Sequence, residues 1–199
     1  MTVRRKSVYI ACPHCKELIA GNMLFCPLCK KIQPIQDMVK DNCYALFDIE
    51  ESPIIDLIKL QDKVFEKLGL VHPDRFINGS VLEKKIALEN AALYNRAYKI
   101  LVSPLLRMEY ILNKHGYKAE APEGLLIESF AWHENLVNAK DQEGVYKMQK
   151  DFEQLHNFLI MKIIHLITTH QYEEACDSYT KLRFVIGFQK EIFQKCDSF

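Results

Sequence analysis

The stretch Val71-His72-Pro73-Asp74-Arg75-Phe76 separates two segments whose apolar residues recur at helical spacing, and it dictates how those segments can meet. Proline fixes its own φ near about −65° and disfavours helical geometry in the residue before it, so a helix arriving at His72 has to stop. Asp74 can accept hydrogen bonds from backbone amides as the chain turns, and Arg75 sets a cation beside it. Upstream, Leu57, Leu60, Val64 and Leu68 make the buried stripe of a helix expected from about Pro53, which a first turn tolerates, to about Leu70. Downstream, Gly79-Ser80 turns the chain, and Ser80 with Glu83 makes a capping box for a second helix, with Ile86, Leu93, Ala97 and Ile100 facing inward. Two helices of similar length joined by a short loop pack as an antiparallel hairpin, which holds the loop at one end as an exposed projection. Lys59, Lys63 and Lys67 stand on another face of the first helix, directly before the loop. The plain reading of that row is a solvated face offset by Asp62 and Glu66; the sharper one is a cationic strip that speeds encounter with an acidic partner.

A chain of 199 residues can hold one large domain or two to three small ones. Lys+Arg and Asp+Glu both number 26, so no global attraction to nucleic acid or to an anionic membrane is expected. No uninterrupted apolar run approaches the ~18 residues of a membrane span. The first eleven residues are too short and too polar to read as a secretory signal, and they make a poor transit peptide. The expectation is a soluble intracellular protein: cytoplasmic if bacterial, in the mitochondrial matrix if eukaryotic.

Four of the seven cysteines fall in two tight pairs, Cys12-Pro13-His14-Cys15 and Cys26-Pro27-Leu28-Cys29, ten residues apart. In a chain without an export signal this spacing points to metal rather than to disulfides. Each Cys-x-x-Cys turn presents two thiolates, and four thiolates complete the tetrahedron that Zn²⁺ takes in structural sites, leaving no open position for catalysis. A thioredoxin-like redox pair is the weaker alternative, because there are two pairs and no surrounding βαβ pattern. His14 is expected to be exposed rather than a ligand, and Lys30 to Lys40, with Pro34 inside, reads as a linker. The segment resembles a zinc ribbon. Its seven Lys/Arg against three Asp/Glu over residues 1–42 leave nucleic-acid binding open, but no aromatic residues interleave with the basic ones, so nucleic acid is not the expected partner.

The loop His72-Pro73-Asp74 between two helices looks like the signature of a J-domain, the module that stimulates ATP hydrolysis by DnaK-type chaperones. The run from Asn95 to Leu112 carries Asn95-x-Ala97-Tyr98, then Pro104-x-x-Arg107-x-x-Tyr110-x-Leu112, and closes at His115-Gly116. With Tyr44, Leu46 and Phe47 at the start, it narrows the resemblance to the HscB/Jac co-chaperones of iron–sulfur cluster assembly. The likeness covers roughly residues 43–199, and a four-cysteine extension ahead of the J-domain is similar to that of some eukaryotic members. It implies that His72, Pro73, Asp74 and Arg75, with Lys59, Lys63 and Lys67, engage a DnaK/HscA-type ATPase chaperone.

Beyond Pro122 and Gly124, helical patterns at about 124–138, 143–169 and 171–196 with short connections argue for an antiparallel three-helix bundle. Inward candidates are Leu125, Phe130, Leu136, Met148, Phe152, Leu155, Leu159, Ile163, Leu166, Ala175, Tyr179, Leu182, Ile186 and Phe193. Cys43, Cys176 and Cys196 read as small apolar side chains. The resemblance makes this bundle the platform for an IscU-type cluster scaffold protein, with Leu126, Ile127, Phe130 and Phe184 as an apolar patch and Glu134 with Arg183 as its polar edge. An apolar stripe on a helix is more often core, and Phe130 fits that purpose too. Ala131 and His133 depart from the charged residues that relatives often carry, which suggests a weaker or re-tuned interface.

The expected fold is mainly α. It comprises a four-cysteine metal segment and linker at 1–42, a J-domain at 43–116 and a C-terminal helical bundle at 117–199. The expected function is that of a co-chaperone that binds the cluster scaffold and activates the chaperone ATPase to promote cluster transfer, with no catalytic chemistry of its own. A general J-protein for unfolded clients and a zinc-ribbon nucleic-acid-binding module are the alternatives.

Overall fold

A computed structural model of the chain describes residues 9–21, 23–36, 40–139 and 141–196. Arg4, Arg5, Lys6, Asp37 and Lys140 lie outside the described residues. The chain divides into two compact units, one formed by 1–51 with 55–103 and the other by 52–54 with 104–199.

The first unit begins with two short hairpins. Strands β1 (Tyr9–Ala11) and β2 (Leu18–Ala20) pair antiparallel, with Ile10 opposite Ile19. The second hairpin is reduced to one antiparallel bridge between Phe25 and Ile32. Each carries a Cys-x-x-Cys turn at its tip, and each turn is closed in the same way. Lys16 and Lys30 donate backbone N–H groups to the carbonyls of Cys12 and Cys26 at 2.9 Å, and both lysines take positive φ, 68° and 61°. Residues 31–36, expected to be a linker, are not loose. Ile32 and Gln33 are fully buried, and the segment is bound to the second hairpin helix.

After α1 (Cys43–Leu46), the hairpin helices are α2 (Leu57–Val71) and α3 (Val81–Val102), joined through a 3-10 turn at Pro73–Phe76. The first helix starts later than the proline suggested. Asp56 is its N-cap and accepts from the N–H groups of Ile58 and Lys59, which satisfies the free donors of the first turn. Leu57, one residue past that cap, is consequently exposed, while Leu60, Val64 and Val71 are buried. The expected capping box is formed: Ser80 accepts from the Glu83 N–H, and Glu83 accepts from the Ser80 N–H at 3.0 Å. On α3 the fully inward positions are Ile86, Ala87, Ala91, Tyr94, Ala97 and Leu101. Leu93 and Ile100 sit half-buried beside them, one residue out of phase. Tyr44, Leu46 and Phe47 of the α1 region are buried, and the Phe47 ring lies 5.6 Å from that of Tyr94.

The second unit is a helical bundle of α4 (Pro104–Lys114), α5 (Glu123–Asn138), α6 (Gln142–Thr168) and α7 (Tyr172–Cys196). The buried Arg107 of the Pro-x-x-Arg run donates from Nε to the Pro53 carbonyl at 3.0 Å and so ties residues 52–54 to α4. The long α6 and α7 pack along each other as an antiparallel pair, and their inner faces carry Leu159, Ile163, Leu166, Ala175, Tyr179 and Leu182. Two inward expectations fail. Phe130 is 73% exposed and Phe193 is also exposed, whereas Val185, Phe188 and Ile192 fill the core. The 184–193 segment is apolar around most of its circumference, so periodicity alone leaves its phase open by a residue.

Candidate functional site

The hairpin tip presents its side chains to solvent. The His72 and Asp74 side chains are 58% and 79% exposed, and the two face each other, with His72 Nδ1 and Asp74 Oδ2 3.5 Å apart. The same Nδ1 lies 3.3 Å from the Asp74 N–H, so the imidazole acts as the N-cap of the 3-10 turn. Arg75 folds back and donates from Nη1 to the Gly69 carbonyl at 2.8 Å, which fixes the turn to the last part of α2. The tip is thus a locally hydrogen-bonded projection whose imidazole and carboxylate remain free to meet another surface.

The lysine row is uneven. Lys59 is highly exposed and pairs loosely with Asp56 at 3.5 Å. Lys63 is half-buried. Lys67 is mostly covered and holds Asp48 Oδ2 at 2.8 Å. Burial opposes the charge on Lys67, but the hydrogen bond and field of Asp48 outweigh it and raise the lysine above its ordinary pKa. Lys67 therefore pins the residue after Phe47, itself at positive φ (52°), onto α2, a role that the four-residue spacing of lysines did not reveal.

The four cysteines of the knuckles converge. Their sulfur atoms all lie within 4.8 Å of one another, with Cys12 and Cys29 3.7 Å apart and Cys15 and Cys26 3.8 Å apart. A metal bound tetrahedrally by thiolates at about 2.3 Å has an S···S edge of about 3.8 Å, so these two sulfur pairs already stand at the separation such an ion requires. Cys12 and Cys26 are buried, and Cys15 and Cys29 half-buried. Burial opposes ionisation of Cys12 and Cys26. The backbone N–H groups of Cys15 and His14 at the first, and of Cys29 and Leu28 at the second, outweigh it and lower both thiols. His14 is half-buried rather than exposed and contacts the Ile32 carbonyl through Nε2 at 3.0 Å; it is no ligand.

On the bundle, Leu126, Ile127 and Phe130 lie exposed on one face of α5, and Glu134 follows one turn later. Arg183 is exposed and Phe184 half-buried on α7, where both line a cavity of about 460 Å³ together with His133, Phe188 and Glu191. From the sequence alone His133 reads only as a departure from its relatives. Here its Nε2 meets Glu191 Oε2 at 3.0 Å and its Nδ1 meets the Ser129 carbonyl at 2.6 Å. The Ser129 contact, together with Glu191 and against the cost of burial, raises its pKa above the ordinary histidine value. Between the same two helices, Lys181 of α7 holds Glu128 of α5 at 2.8 Å.

Residues 121–192 match the family model described as the HSCB C-terminal oligomerisation domain. The chain is 29% identical to the iron–sulfur cluster co-chaperone protein HscB of Mus musculus, over 91% of this chain and 79% of the relative. It is 28% identical to the co-chaperone protein HscB homolog of Aeromonas hydrophila, over 79% of this chain and 97% of the relative. The crystal structure of human co-chaperone protein HscB superposes with a TM-score of 0.80 at 26% identity, covering 94% of this chain and 98% of that one. The mainly α architecture, the projecting hairpin tip and the clustered cysteines stand together with these likenesses: the chain is similar over most of its length to HscB co-chaperones, and its C-terminal part matches their C-terminal domain.

Proposed function

We propose that this protein serves iron–sulfur cluster biogenesis as a two-handed co-chaperone. The bundle face of Leu126, Ile127, Phe130 and Phe184, edged by Glu134 and Arg183, takes an IscU-type scaffold protein. The tip His72-Pro73-Asp74, with Arg75 and the lysines of α2, engages a DnaK/HscA-type chaperone and favours its hydrolysis-competent conformation. No bond is made or broken on this chain; the effect is a shift of a partner's equilibrium through differential contacts. The observation that carries the reading is the tip itself, a histidine and an aspartate facing each other, mostly in solvent, at the turn of a helical hairpin. Large apolar side chains left exposed on α5 support the scaffold half, since central apolar anchors with a polar edge are what a specific transient interface uses.

The four cysteines are assigned a structural Zn²⁺, held by Cys12, Cys15, Cys26 and Cys29. The ion supplies cross-linking rather than chemistry, because thiolates fill all four corners. The test of the scaffold half is a titration of scaffold protein into wild type and into the Leu126→Ala/Ile127→Ala/Phe184→Ala variant. A loss of affinity of about 30-fold or more is expected for anchors of this kind; undiminished binding would place the interface elsewhere.

A further inference from the structure

The core of the knuckle segment consists largely of its own metal ligands. Cys12, Ile19 and Cys26 form its buried cluster, with Ile10, Cys15 and Cys29 packed around it. So small a core holds only while the thiolates are cross-linked. What ties this core to the rest of the unit is Gln33, whose side chain and backbone face opposite ways. Its Nε2 donates toward Cys12 Sγ at 3.4 Å and to the Lys31 and Ile32 carbonyls at 2.9 and 3.1 Å. Turning the amide over would set its oxygen against a sulfur and two carbonyl oxygens, all acceptors, so the orientation is fixed. Its Oε1 is buried without a protein partner. The nitrogen end of this fully buried amide is the end that reaches the ligand sulfur.

The Gln33 backbone points to the hairpin. Asn90, on α3 and only 3% exposed, donates from Nδ2 to the Gln33 carbonyl at 2.8 Å and accepts the Ile35 N–H on Oδ1 at 3.1 Å. One amide side chain thus clamps the 33–35 segment as a neighbouring strand would. A second tether, Lys31 to Glu83 at 3.3 Å, reaches the capping box at the start of the same helix.

We propose that Gln33 is the outer positioning residue of the metal centre and Asn90 its link to the hairpin, so that metal occupancy of the knuckle controls the local stability of α3. When the ion leaves, the ligand core loosens, Gln33 loses its place, and Asn90 is left buried with two bonds unmade; α3 then opens more readily. Loss of the ion to a chelator is in this way transmitted to the helix pair that carries His72. The inference rests on the assignment of metal to the four cysteines, and not on the chaperone or scaffold reading.

The experiment uses the full-length, zinc-loaded chain. Metal content is measured first. One Zn²⁺ per chain is expected, and a chain that binds none overturns the assignment and the inference together. Hydrogen exchange by mass spectrometry then compares the loaded protein with protein stripped by a chelator. Faster exchange after stripping is expected in residues 31–36 and in 83–94 of α3, with 142–192 unchanged. In Asn90→Leu the response of 83–94 to metal should disappear, while 9–30 still loosens. Unchanged protection of 83–94 in stripped wild type, or a full response in Asn90→Leu, refutes the coupling. Gln33→Met provides a readout independent of that variant's folding. Release of Zn²⁺ to a chromogenic chelator should quicken about 10-fold, the lower end of the usual effect of losing an outer-shell partner. Release at the wild-type rate would remove Gln33 from the metal centre.

Discussion

Phe188→Ala distinguishes the core of the bundle from the face proposed to bind the scaffold. Phe188 is 2% exposed and belongs to the cluster of Leu136, Val145 and Ile192. Its ring lies 4.7 Å from that of Phe152, 5.8 Å from Trp132 and 5.1 Å from His133. Truncating a buried phenylalanine costs about 3–5 kcal/mol through lost transfer energy and the cavity left behind. Because Phe188 already borders the cavity beside Arg183 and Phe184, part of the void can merge with it, and the lower half of that range is expected. Trp132 is the sole tryptophan and packs on this cluster, so its fluorescence follows the bundle alone. With a urea slope of about 1.5–2 kcal/mol/M for a unit of this size, the midpoint should fall by about 2 M. Phe130→Ala, on the same bundle but mostly in solvent, should move the midpoint by less than about 0.5 kcal/mol equivalent. A Phe188→Ala loss below about 1 kcal/mol, or an equal loss in Phe130→Ala, would refute this division of the aromatic residues.

The two units should respond to pH in opposite ranges. Backbone and side-chain hydrogen bonds from Ser80, with help from Lys31, hold Glu83 at a pKa of about 2, below its ordinary 4.5. Its contribution is therefore complete above the ordinary value and is lost as pH falls toward 2. Acid titration of wild type against Glu83→Gln, followed by exchange in α3, should show the difference close as pH drops through that window; a constant difference would contradict the assignment. The raised pKa of His133 has the opposite sign. Its stabilisation is complete below the ordinary histidine pKa of about 6.5 and fades as pH rises through the elevated folded value. Wild type should exceed His133→Gln in bundle stability at pH 6 by more than at pH 9, and a difference independent of pH would exclude the charged His133–Glu191 pair.

What the sequence made legible was local. Two Cys-x-x-Cys turns, a proline that must end a helix, and Ser80 three residues before Glu83 each act over a few bonds, and each is found where it was expected. Pro53 reads as the start of the first hairpin helix, but the cap is Asp56 three residues later, and Pro53 instead lends its carbonyl to Arg107. Phe130 and Phe188 could not be told apart by pattern, since both lie on apolar helical stretches and only the packing partner decides which is buried. The Asn90–Gln33 clamp spans 57 residues and the His133–Glu191 pair 58, and no period or motif connects such positions. The asparagine in the middle of α3 was the one available hint, because a polar residue at an inward helical position has to find a partner.

The proposed coupling of the two hands of the molecule is tested by single-turnover ATP hydrolysis by a DnaK/HscA-type chaperone, with and without scaffold protein. Wild type should accelerate hydrolysis, and scaffold should accelerate it further. The Leu126→Ala/Ile127→Ala/Phe184→Ala variant should keep the first effect and lose the second, and His72→Gln should lose both. Equal stimulation by wild type and His72→Gln would contradict the account.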